Sequence, residues 1–135
     1  MEHRGAKLVV RYCEHAPPDA DPAIWVPPSW RAAIAHLPAS KHASLYAKMM
    51  ARRNFLASGG RLRSPDHWNT ESRLPRGGHF YAIKVDRLRA YGWFSNRHPG
   101  VFYISHFAFK QGPKLALADT ERVITNWEMI EETRQ

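Results

Sequence analysis

The chain has 135 residues, with 20 Lys and Arg against 12 Asp and Glu for a formal charge of +8, and one cysteine. That length suits one domain with its own core, one thiol excludes an internal disulfide, and Leu8 to Val10 is too short an apolar run for a signal peptide or membrane span. A protein of the reducing cytoplasm is expected, whose charge attracts polyphosphate, an anionic membrane surface or an acidic protein without choosing among them.

In chain order, Lys7 to Cys13 (KLVVRYC) is β-branched and aromatic and predicts an opening strand. Glu14 to Ser29 holds Pro17, Pro18, Pro22, Pro27 and Pro28 and reads as a loop. Ser29 is placed to cap a short helix from Trp30 to Leu37, which Pro38 stops, and Ser40 to cap a second helix running to about Ala57. Gly59 and Gly60 suit the left-handed exit of that helix. Within it Leu45, Met49, Phe55 and Leu56 repeat at near-helical spacing and are expected to face the core, with Lys41, Lys48, Arg52 and Arg53 largely elsewhere. Arg61 to Arg76 is polar, contains Pro65 and Pro75, and reads as a connection.

His79 to Val85 (HFYAIKV) and Leu88 to Ser95 (LRAYGWFS) predict strands joined by the short Asp86-Arg87 link. Asn96 to Gly100 then turns the chain into Val101 to Lys110 (VFYISHFAFK), which completes an antiparallel meander. Asp119 is placed to cap a last helix from Thr120 to about Glu132, with Val123, Ile124, Trp127 and Ile130 toward the sheet.

Strict alternation puts Ala82 and Lys84 on one face of their strand, and Arg87, Arg89, Tyr91 and Trp93 on one face of the next. On the third strand it groups Ile104, His106, Ala108 and Lys110 opposite Tyr103, Ser105, Phe107 and Phe109. In an antiparallel register Lys84, Arg89, His106 and Lys110 approach one another near one end. They form either a polyanion site or a solvated cationic face, and both readings stay open. His36 and His42 lack the spacing that puts two ligands on one helix face, and His67, His79 and His98 fall in loops or at strand edges, so no metal site is expected. Cys13 reads as a buried small residue, and Trp25 and Trp30 as core cover.

The segments GGHFYAIKVDRLRAYGWFS and GVFYISHFAFKQGPKLALADTERVITNW carry a pattern. A strand with a basic residue is followed by a tight turn, a strand beginning with arginine, and a third strand ending in a Lys-rich loop before a helix. Here these are Lys84, Arg89, the segment from Lys110 to Lys114, and the helix near Asp119. The pattern resembles the C-terminal half of the RelE/HigB superfamily of bacterial toxins, the phage-derived HigB-like branch included. The resemblance implies an α+β, RelE-like fold over residues 1–135, in which an N-terminal helical hairpin packs on a small, mainly antiparallel sheet with a C-terminal helix. The proline-rich loop at 14–29 is then an addition. Two departures are visible: many members have two basic residues where this strand has Ala82 and Lys84, and no tyrosine follows Tyr103.

The resemblance also implies a ribosome-associated endoribonuclease that cuts mRNA without metal or other cofactor and is neutralised by a cognate antitoxin. RNA carries its own nucleophile. The enzyme orients the 2′-hydroxyl, helps remove its proton, stabilises charge on the phosphorane and protonates the 5′ leaving oxygen. On this reading Lys84 and Arg89 hold the scissile phosphate and His106 is the acid or base. Lys110 and Lys114, with Arg87 beside them, contact neighbouring phosphates. The alternative is a noncatalytic RNA-binding or regulatory module, and a third reading, a protein-only interaction domain, predicts no salt-dependent RNA affinity.

Overall fold

The computed structural model describes residues 1–132, so residues 133–135 of the expected domain lie outside the described residues. The elements are β1 (Glu2–Arg4), β2 (Val9–Tyr12), α1 (Pro28–Ile34), a 3-10 turn at Ala39–Lys41 and α2 (His42–Ala57). They continue with β3 (Trp68–Arg73), β4 (His79–Val85), β5 (Leu88–Phe94), β6 (Val101–Phe109) and α3 (Leu117–Glu131). The strands make a six-stranded sheet in the order β1-β2-β6-β5-β4-β3. Adjacent strands are antiparallel except β2 and β6, which run parallel with Val9 opposite Val101 and Tyr12 opposite Ile104.

This corrects the expected architecture. The sheet is mixed and larger than the small antiparallel one expected, and α1 and α2 lie between β2 and β3 rather than forming an N-terminal hairpin. Both added strands are edge strands, Glu2–Arg4 wholly polar and Trp68–Arg73 polar after Trp68, where one side of the strand is free of a neighbour and hydrophobic alternation is not needed. No helix among the described residues is long and apolar enough to cross a membrane.

Both faces of the sheet are covered. On one, Val10, Ile83, Leu88, Phe102 and Phe107 receive Trp30 from α1 and Leu45, Met49 and Leu56 from α2. On the other, Phe80, Trp93 and Tyr103 receive Val123 and Trp127 from α3. Two covered faces explain why β6 is buried without a break from Val101 to Phe107. Burying each of Met49, Ile83, Leu88 and Phe102 stabilises the fold by roughly 1.5–3 kcal/mol.

The register of β6 departs from simple alternation. Tyr91 faces His106 and Gly92 faces Ile104, so Ser105 is an extra residue, a bulge that moves Ile104 onto the helix-pair face and leaves His106 on the α3 face. Gly92 permits the close approach there, since a Cβ on it would stand 2.3 Å from the Tyr103 carbonyl oxygen.

Two carboxylates tie loops to this frame. Ser29 lies inside α1 rather than capping it, because the helix starts at Pro28 with proline in its first turn. The Ser29 N–H and hydroxyl both donate to the Glu14 carboxylate, and Ser29 Oγ accepts from the Phe107 N–H at 2.8 Å, which closes the proline-rich loop against β6. At the far end of α3, Glu131 accepts from Trp93 Nε1 at 3.1 Å, Ser95 Oγ at 2.6 Å, and the N–H groups of Asn96 at 3.0 Å and Arg97 at 2.9 Å.

Candidate nucleic-acid interface

The β4–β5 hairpin turns through Asp86, whose φ of 50° is left-handed, and so brings Lys84 and Arg89 directly opposite each other. Both side chains leave the sheet on the α3 face. Arg89 is next opposite Ala108 of β6, a small residue that leaves the position above it open to Arg89, and one step back Tyr91 stands between Ala82 and His106.

Arg89 is 7% exposed. One terminal nitrogen, Nη1, donates to the carbonyls of Asp86 at 2.7 Å and Leu88 at 2.9 Å, while Nε is buried with no partner. Burial makes the guanidinium easier to deprotonate than usual, Tyr91 and Glu71 oppose this, and Arg87 adds to it. A buried donor without an acceptor costs free energy, about 1–3 kcal/mol for an ordinary group and more for a charged one. The fold therefore bears a cost to hold the guanidinium at this position.

Lys84 donates from Nζ to the Pro65 carbonyl at 2.7 Å. Partial burial, then the charges of Arg89 and Lys110, hold its ammonium below the ordinary lysine range. Lys110 is close enough for its charge to bear on Lys84, and Lys114 lies in the exposed loop beyond β6. Arg87 does not share the face of Arg89. It sits in the turn with its guanidinium 5.0 Å from the centre of the Phe109 ring and donates to the carbonyls of Lys110 at 2.9 Å and Gln111 at 2.5 Å. Its role in the structure is to fix where the Lys110–Lys114 loop leaves the sheet.

His106 is 1% exposed, and both ring nitrogens are engaged. Nε2 lies 2.9 Å from Asp119 Oδ1 and Nδ1 lies 2.8 Å from Ser105 Oγ, which also accepts from Asn126 Nδ2 at 2.8 Å. In the neutral ring, Nε2–H donates to the carboxylate and Nδ1 accepts the serine hydroxyl proton. The Ser105, His106 and Asp119 sequence has the residue types of a nucleophilic triad, but Ser105 is wholly buried and no substrate reaches it. Asp119, whose side chain is partly exposed, is the outer member of the chain of bonds. Sequence spacing suggested a helix cap for Asp119, whereas the helix starts at Leu117 and the carboxylate in its first turn reaches across to His106. Nothing in the sequence signals that pairing, because it depends on the Ser105 bulge.

Burial, with the charges of Asp119 and Glu71, pushes the Tyr91 phenol up, so it stays protonated between the cations and His106. Cys13 is half-buried with its thiol pushed up to about 12, first by burial and then by Glu14. Among the described residues no three His, Cys, Asp or Glu side chains come together as a metal-binding group. No family model, curated protein or solved structure matches the chain.

Proposed function

We propose that the chain is a toxin-like endoribonuclease that cleaves mRNA, with the ribosome as its place of action in the cytoplasm and a cognate antitoxin as its restraint. The observation that carries this reading is the cross-strand pair Lys84 and Arg89, two cations held directly opposite each other at the end of the meander. The pattern shared with RelE/HigB toxins supports the same positions, and the charge of +8 favours both RNA and an acidic antitoxin.

In the reaction the 2′-oxygen forms a bond to phosphorus as its proton passes to the partly exposed Asp119 carboxylate, and the bond from phosphorus to the 5′-oxygen breaks as that oxygen gains a proton from Lys84. Arg89 neutralises the charge that grows on the phosphorane. Lys84, whose ammonium gives up its proton more readily than an ordinary lysine, stands beside the same phosphate and is suited to protonate the leaving oxygen. His106 acts through Asp119, which is its exposed partner, and Lys110 and Lys114 hold the phosphates that follow. No step calls for a cofactor.

The second reading, noncatalytic RNA binding, is favoured by the burial of His106 with both nitrogens engaged. Induction in a bacterial host, with primer-extension mapping of transcript ends, separates the two. Wild type is expected to arrest growth and create new mRNA ends, and the Lys84→Ala/Arg89→Ala variant to do neither at equal soluble expression. Intact transcripts in cells whose RNA still co-purifies with the protein would sink the nuclease and leave the binding module.

A further inference from the structure

The helix-pair side of the sheet carries an open groove of about 1120 Å³ beside the C-terminal half of α2 and the start of β3. Two of its aromatic residues are turned outward, with Phe55 50% exposed and Phe94 42% exposed, although helical spacing placed Phe55 in the core, while Trp68 is partly buried against the core. Phe55 is held in place, because its ring lies against Gly60, where an added Cβ would stand 2.5 Å from it. Lys48, Arg52, Arg61 and Arg63 line the same groove, and no Asp or Glu does.

The groove and the Lys84 and Arg89 side chains lie on opposite faces of the sheet, and one short segment at the β3 edge touches both. Ser64 and His67 form part of its wall, the Pro65 carbonyl between them accepts the Lys84 ammonium, and the His67 carbonyl accepts the Lys84 N–H at 2.9 Å. Arg52 reaches from the groove to the Lys84 carbonyl.

We propose that this groove is a subsite for single-stranded RNA that passes around the β3 edge from the Lys84 and Arg89 position, with bases stacked on Phe55 and Phe94 and phosphates against Lys48, Arg61 and Arg63. The inference rests on the RNA reading above and deepens it. Exposed rings interleaved with cations bind successive bases with little sequence preference, since every base has a face to stack. An acidic amphipathic peptide matches the charge of the groove, but it gives no reason for the same Ser64–His67 segment to wall the groove and hold Lys84. The absence of carboxylates from the lining and that shared segment both favour one polyanion that turns around the sheet edge to meet both places.

The test is fluorescence anisotropy of a labelled, mixed-sequence, single-stranded RNA of about ten nucleotides, a length within single-strand site sizes, with the full chain. Phe55→Ala/Phe94→Ala is expected to weaken binding about tenfold or more. Arg61→Ala/Arg63→Ala changes only exposed side chains and is expected to flatten the slope of log affinity against log salt by about 1.4. Unchanged affinity and slope in both variants overturn the subsite. If those variants instead lose binding of an acidic, leucine-bearing peptide that wild type binds, the groove docks a protein. Groove-dependent binding by wild type, with no cleavage of the RNA and no new mRNA ends on induction, keeps the subsite and removes the nuclease. Failure of wild type to bind the RNA removes both.

Discussion

Arg89→Ala is expected to lower RNA cleavage by purified protein about 10²–10³-fold, the usual loss when a preorganised donor to a developing oxyanion is removed. Arg89→Lys is expected to recover little of it. An ammonium carries its three donors on one nitrogen, so it cannot stay on the Asp86 and Leu88 carbonyls and also present the second, separate nitrogen that the planar guanidinium keeps for a phosphate. The same residue is a burden on the unliganded fold, since a desolvated cation with an unpartnered Nε sits 7% exposed beside Tyr91. Arg89→Met is therefore expected to be more stable than wild type by about 1–4 kcal/mol while losing activity as Arg89→Ala does. Single-turnover cleavage and thermal melting of the same three variants check both halves. A destabilised Arg89→Met with cleavage intact would show that Arg89 is a structural residue and not a phosphate ligand.

Glu131→Ala is expected to destabilise the protein by about 2–4 kcal/mol, because it leaves the buried Trp93 indole N–H, the Ser95 hydroxyl and two backbone N–H groups without their acceptor. For a chain of this size the melting temperature falls by roughly 8–15 °C. The effect also carries a pH signature. Burial alone would raise the carboxyl's pKa, but the hydrogen bonds from Ser95, Arg97, Trp93 and Asn96 bring it below the ordinary value. A folded-state pKa below the unfolded one contributes stability that is present above the unfolded pKa and is lost as pH falls through the folded one. The gap in melting temperature between wild type and Glu131→Gln is accordingly expected to narrow as pH is lowered from 7 toward 3. A gap that stays constant would mean that the charge of Glu131 contributes nothing beyond its shape.

Much of the chain announced itself through pattern. The runs KLVVRYC, HFYAIKV, LRAYGWFS and VFYISHFAFK became β2, β4, β5 and β6 with ends shifted by a few residues, and the two longer helices lie where apolar periodicity placed them. Trp68–Arg73 did not read as a strand, because WNTESR is polar and an edge strand needs only one partner, here β4. The parallel pairing of β2 with β6 joins residues far apart in sequence and leaves no local trace. At the site, the meander brought Lys84 to Arg89 because a two-residue turn fixes register. His106 was placed on a face shared with Ile104, and the Ser105 bulge undid that by shifting the alternation by one residue. Arg87 was assigned by parity to the Arg89 face, but it lies in the turn, where alternation no longer applies.

The parallel neighbour of β2 has a consequence for synthesis. A chain made from its N-terminus presents Val9 to Tyr12 long before Val101 to Ile104 exist, and until then β2 has only the three-residue β1 beside it. The last strand to be translated is thus the one that fills the middle of the sheet, between β2 and β5. Lys84 and Arg89 gain their backing only when it docks, so a nascent chain does not carry a finished site. On the proposed function, the ribosome making this protein is spared its action until β6 has emerged and docked.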